Sequence, residues 1–145
     1  MNVRRFALIF GIVYLLVGVL GLIPALLTPL TDTGVTVDTL AGNLLGLFPV
    51  NIVHTLVHLV FGIWGIVAYR SFSGARSFAW VAGITFLALA LFGLIPGLNT
   101  LFGLAPLHGN DIWLHGLSGL LALAFAIMAR TPVEEAMDRS VDRIE

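Results

Sequence analysis

The chain of 145 residues is 59% hydrophobic and 10% charged, with mean hydropathy +1.04, more apolar surface than a soluble domain of this length can bury. A formal charge of −1, with seven basic residues that are all Arg and scattered in ones and twos, excludes a nucleic-acid-binding surface. The lack of Cys excludes disulfides, thiolate ligands and c-type haem attachment, so a metal site would have to draw on His and carboxylate.

Four apolar stretches, residues 6–27, 49–69, 78–98 and 112–129, each match the roughly 20 residues that cross a hydrocarbon core. None contains Lys, Arg, Asp or Glu. The first follows Arg4 and Arg5 as the apolar part of a secretion signal would, but no clear small-x-small cleavage site follows it. Between the first two stretches, residues 28–42 are rich in Thr and Asp, and Asp38-Thr39 is placed to cap a short helix running through Phe48. Pro49 then opens the second helix, and Pro106 opens the segment before the fourth. The segment 97–105 is the shorter counterpart of 28–42, and both read as lids over one end of a bundle. After Arg130, Thr131-Pro132 followed by Glu134 and Glu135 starts a capped helix with Val133, Met137, Val141 and Ile144 on one stripe. This gives a four-helix domain over 1–130 and an amphipathic tail over 131–145, acidic and therefore suited to solvent or a protein partner rather than anionic lipid.

The chain aligns with itself. A shift of 72 pairs residues 6–26 with 78–98 without a gap, ten of 21 pairs being identical, and both copies end in Gly-Leu-Ile-Pro. A shift of 57 pairs residues 44–64 with 101–121, matching His58 to His115 and Gly62 to Gly119. The repeating unit is a helical hairpin, about 6–70 and 78–130, and two such hairpins insert in the same orientation about an axis along the membrane normal. Arg4, Arg5, Arg70, Arg76, Arg130, Arg139 and Arg143 all fall on one side, while Asp32, Asp38 and Asp111 fall on the other. The positive-inside rule places both termini in the cytoplasm. Small residues seven apart, Gly11 and Gly18 in the first helix and Gly83 and Ala90 in the third, mark close helix contact. The expected fold is all-α: an integral membrane four-helix bundle of two tandem hairpins.

Polar residues inside the membrane single out one region. Asn51, His54 and His58 lie on one face of the second helix, and the alignment sets His108, Asp111 and His115 opposite them in the same order. Polar groups at such depth face a bundle interior and pair with one another. If the second and fourth helices meet, His54, His58, Asp111 and His115 converge as two i, i+4 pairs, the spacing by which one helix gives two ligands to one ion. Three imidazoles and a carboxylate suit Zn or Fe better than Cu(I). Asn51 and His108 would stand above the ligands, either supporting them or lining the way in.

Other readings use the same residues. A His at a helix interface can simply hydrogen-bond a neighbour, and duplication would copy the pair; four candidate ligands at matched positions favour a site. His58 and His115 alone could ligate haem b, with Gly62 and Gly119 making room for the ring, although no Arg on that side meets the propionates. A hydrolase reading places Ser118 beside a zinc-bound water with Asp111 as base, but Ser118 aligns with Phe61, and a lone Ser bonding back within its helix is the plainer account. A proton path would need ionisable residues continuing to the cytoplasmic face, and none follows His58 or His115 within the helices. A non-catalytic scaffold or accessory subunit, homo-oligomeric or part of a larger membrane complex, is the alternative from another class.

The segments Phe6-Ala7-Leu8-Ile9-Phe10-Gly11, Leu47-Phe48-Pro49-Val50-Asn51 with His54 and His58, Gly93-Leu94-Ile95-Pro96-Gly97-Leu98-Asn99-Thr100, and Pro106-Leu107-His108-Gly109-Asn110-Asp111 carry a resemblance. Together they resemble a bacterial family of small four-span membrane proteins known as domain of unknown function 4383. The resemblance covers nearly the whole chain apart from the loop after Pro29 and the tail. It implies a bacterial inner-membrane protein and supplies no reaction.

Overall fold

The computed structural model describes residues 2–30, 34–131 and 133. Four helices dominate it: α1 (Val3–Gly21), α2 (Ile52–Ala68), α3 (Phe72–Gly93) and α4 (Asn110–Met128). Asn2 caps α1 by accepting from the Arg5 N–H, and Ser71 caps α3 by accepting from the Gly74 N–H. The first and third helices therefore begin before the apolar stretches do and end about a turn and a half short of their expected limits. At 1.5 Å per residue, α1, α3 and α4 extend about 28–33 Å, and all three are long and apolar enough to cross a membrane. The helix α2 has 17 residues. It is shorter than its apolar stretch because Phe48–Val50 is taken up in a strand.

That strand corrects the expected link. Instead of a helix capped at Asp38, the chain forms a small antiparallel sheet of β1 (Leu27–Thr28), β2 (Gly42–Leu44) and β3 (Phe48–Val50) in that spatial order. Leu45 and Gly46, both at positive φ, make the tight reversal between β2 and β3 that a helix cannot make. Pro49 lies within β3, pairing with Asn43, and the residue that opens α2 is Asn51, whose side chain accepts from the His54 N–H. The expected tail helix falls almost wholly outside the described residues, as do Asp32, Arg139 and Arg143.

Packing within the bundle has two characters. The helices α1 and α2 touch backbone to backbone: a Cβ on Gly11 would meet Ile66 N at 2.6 Å, and one on Gly62 would meet Leu15 N at 2.5 Å. Likewise, a Cβ on Gly119 would stand 2.8 Å from Leu87 N, so α3 and α4 approach just as closely. Between these two pairs the contact is aromatic. Phe10 stacks on Phe86 at 5.7 Å between ring centroids, Tyr14 on Phe86 at 4.9 Å, and Phe61 meets Phe86 at 4.8 Å. At one end Arg4 Nε donates to the Tyr69 carbonyl at 2.8 Å and Arg76 Nε to the Ala126 carbonyl at 3.1 Å, each capping the last turn of a neighbouring helix. The outward faces remain apolar, as with Ile9, Leu16, Val60, Ile63, Ile84 and Leu120, all more than half exposed. Such a surface is suited to lipid, and the protein is a membrane protein.

Candidate metal centre

The first turns of α2 and α4 carry the polar residues into the bundle. With Asn51 as N-cap, His54 and His58 fall one turn apart on the face of α2 turned inward. In α4 the N-cap is Gly109, whose φ of 65° and ψ of −133° no side-chain-bearing residue adopts readily; the turn it makes sets Asp111 in the first helical turn and His115 one turn on. All four side chains are buried, none more than 4% exposed.

They converge. One nitrogen from each of His54, His58 and His115 lies within 4.8 Å of the other two. The rings of His54 and His58 are 4.5 Å apart between centroids, those of His54 and His115 5.5 Å, and those of His58 and His115 6.4 Å. Asp111 stands beside them, Oδ2 at 3.1 Å from His115 Nδ1 and Oδ1 at 3.8 Å from His54 Nε2. Neither contact has the geometry of a hydrogen bond, and every ring nitrogen and carboxylate oxygen of the four residues is buried without a hydrogen-bond partner. Each such atom costs about 1–3 kcal/mol if nothing satisfies it, and the carboxylate costs more. A cation bound by three imidazoles beside a carboxylate would satisfy many of these atoms at once.

The remaining candidates take different positions. Asn51 is fully buried and acts as a tie: besides capping α2, its Nδ2 donates to the Leu104 carbonyl at 2.7 Å and to the Val37 carbonyl at 3.0 Å. Two further bonds, from Thr36 N and Oγ1 to the Gly103 carbonyl at 2.8 and 3.0 Å, join the two outer segments over the site. These bonds tie the described parts of the two outer segments to one another and to the start of α2, with Asn51 as a fastening there. His108 is half-buried on the approach to α4, with Nε2 buried and unpartnered. Ser118 lines a cleft between α1 and α4 together with His58 and Tyr14, so among the imidazoles it shares a cavity with His58 rather than His115.

One expectation for this region changes. Gly62 and Gly119, expected to make room for a haem ring, are filled by Leu15 and by Leu87 with the Gly83 carbonyl, so they serve helix contact. Two residues were also missed. Tyr14 packs edge-on against His58 at 5.3 Å and keeps its hydroxyl buried and unpartnered, and Thr55 is buried with Oγ1 unpartnered. Tyr14 had a signal in the sequence, as the one phenol in a stretch otherwise free of polar side chains. Thr55 had none.

A family model for a domain of unknown function, number 4383, matches residues 4–128. The chain belongs to that family. The match spans nearly all of the four helices and every candidate ligand of this chain. No curated protein and no solved structure matches the chain.

Proposed function

We propose that this protein is a four-span protein of the bacterial inner membrane that binds one metal ion, zinc or iron, between α2 and α4 near the outer leaflet. The observation that carries the reading is the set of buried, unpartnered atoms gathered on His54, His58, His115 and Asp111. A tetrahedral zinc site with bonds of about 2.0–2.1 Å has ligand atoms about 3.3 Å apart, so the three imidazoles reach one ion with small side-chain rotations. Asp111 supplies the fourth ligand or, at 3.1 Å from His115 Nδ1, holds that ring with Nε2 toward the metal. Without thiolates, the donor set favours Zn or Fe(II).

The rest of the proposal is topological. The 17 residues of α2 extend about 25 Å, enough for a span at the short end of the usual range. Two hairpin repeats, about 6–70 and 78–130, find support in Arg4 and Arg76, which are 72 positions apart and each cap a neighbouring helix. The same support comes from the paired glycine contacts of Gly11 with Gly62 and Gly83 with Gly119. Both termini and the 131–145 tail lie in the cytoplasm on this reading, since the Arg residues gather on that side. A role as scaffold or accessory subunit is compatible with it.

The test is elemental analysis and a visible spectrum of purified protein. About one zinc or iron per chain is expected, lost from His58→Ala and from His115→Ala. Metal-free wild-type protein that takes up no zinc or iron on titration would refute the reading, and a Soret band would replace it with haem.

A further inference from the structure

The cleft beside His58 has a chemistry of its own. It lies between α1 and α4, encloses about 260 Å³, and is walled by Phe6, Phe10, Val13, Val17, Leu114 and Leu121 among others. Val13 and Leu121 are about half exposed on the outward face, so the cleft opens sideways toward lipid. Polar atoms enter it at one place only, where Tyr14, Ser118 and His58 meet. Tyr14 is 5% exposed, and its hydroxyl approaches Ser118 without completing a hydrogen bond.

The sequence alignment explains why the opening exists on this side. The shift of 72 pairs Tyr14 with Phe86, and the shift of 57 pairs Ser118 with Phe61 and Leu121 with Trp64. At the seam between α2 and α3 those larger residues fill the space: Phe61 meets Phe86 at 4.8 Å, and Trp64 meets Phe78 edge-on at 5.3 Å. At the seam between α1 and α4, Phe6 stacks on Phe125 at 4.6 Å, but Ser118 and Leu121 are too small to fill the space beside them. One seam is sealed by aromatic rings, and its counterpart is an apolar slot ending in a phenol, a hydroxyl and an imidazole.

We infer that this slot binds a neutral, membrane-dissolved molecule with an apolar body and one hydroxyl or carbonyl oxygen at its head. The body replaces lipid against Val13, Val17 and Leu121, and the head oxygen bonds Tyr14, with Ser118 and His58 in reach. A buried hydroxyl with no partner in a lipid-facing cavity is the feature such a head satisfies. A volume of about 260 Å³ lies just below the usual ligand-pocket range of about 300–1,000 Å³, so the body is a short chain or a single ring. The inference stands on the cleft alone and does not require a metal.

The test is photolabelling of the full chain in nanodiscs with a ten-carbon 1-alkanol bearing a diazirine, mapped by mass spectrometry and repeated after chelator dialysis. Saturable labelling on α1 and α4 around Val13, Val17 and Leu121 is expected, with excess 1-decanol as competitor. Decane should compete at least about fivefold less well, the worth of one hydrogen bond. The pair Ser118→Phe with Leu121→Trp, which copies the sealed seam, should abolish labelling, and Tyr14→Phe should weaken it about fivefold with an unchanged melting temperature. Labelling spread evenly over the lipid-facing residues, or unaltered in both variants, would overturn the inference, and equal competition by decane would overturn the role of the head. If the Ser118/Leu121 variant fails to fold, Tyr14→Phe alone decides. Labelling that survives in protein shown to bind no metal leaves this inference standing and removes only the metal.

Discussion

Replacing Asp111 by Asn separates a metal site from a polar packing contact, because the two predict opposite signs. The side chain is 1% exposed and its oxygens lie 3.1 and 3.8 Å from His115 and His54. With metal bound, the carboxylate is a ligand or orients His115, and its loss weakens metal affinity at least about 10–100-fold, or about 1.4–2.7 kcal/mol. Without metal, a buried carboxyl group with no hydrogen-bond partner is a liability, while its favourable place in the first turn of α4 is worth only about 0.3–1 kcal/mol. Asp111→Asn should therefore leave metal-free protein as stable as wild type or more so, and lower the melting temperature of metal-loaded protein. Chelator competition followed by elemental analysis reads the affinity, and thermal unfolding in detergent with and without metal reads the stability. Loss of stability in the metal-free form together with unchanged metal affinity would refute the reasoning, making Asp111 a structural group of the helix terminus.

The glycine contacts predict a sharp contrast: Gly62→Val must push α1 and α2 apart against backbone at 2.5 Å, costing about 3 kcal/mol or more. Gly116→Ala, where the nearest atom is 3.8 Å away, should raise stability by up to about 1 kcal/mol through helix propensity; both are read by denaturant unfolding in mixed micelles. With no native Cys, the orientation is directly testable. Leu47→Cys should react with a membrane-impermeant maleimide added to intact cells, and Ser73→Cys only after lysis; the reverse pattern would invert the topology.

The helices were legible because each is a long apolar run between polar or glycine-bearing ends, and three of the four are spans by length and composition. The convergence of His54, His58 and His115 was legible because His54 and His58 stand four apart on one helix and the self-alignment matches His58 to His115, within apolar helices where buried polar groups have few places to go. The link between α1 and α2 was misread because Asp38-Thr39 imitates a helix cap, whereas the Leu45-Gly46 reversal and the pairing of Gly42 with Val50 make the region a sheet. Asn51 was placed on the correct face, but its bonds to the Val37 and Leu104 carbonyls depend on loops 14 and 53 residues distant in sequence, beyond any local pattern. The cleft was invisible for the same reason: it arises from the sizes of Ser118 and Leu121 relative to Phe61 and Trp64, which matter only once the seams are assembled.

Backbone-to-backbone contact at Gly11, Gly62, Gly83 and Gly119 leaves no slack inside either helix pair. Relative motion in the bundle must then be taken up between the pairs, across the aromatic contacts of Phe10, Tyr14, Phe61 and Phe86. That boundary separates His54 and His58 from Asp111 and His115, and its outer edge is the cleft between α1 and α4. The proposed cation, drawing the four side chains together, and the proposed guest, wedged between α1 and α4, would thus act on one mechanical coordinate. Any change that one makes in the affinity of the other is returned by the same factor.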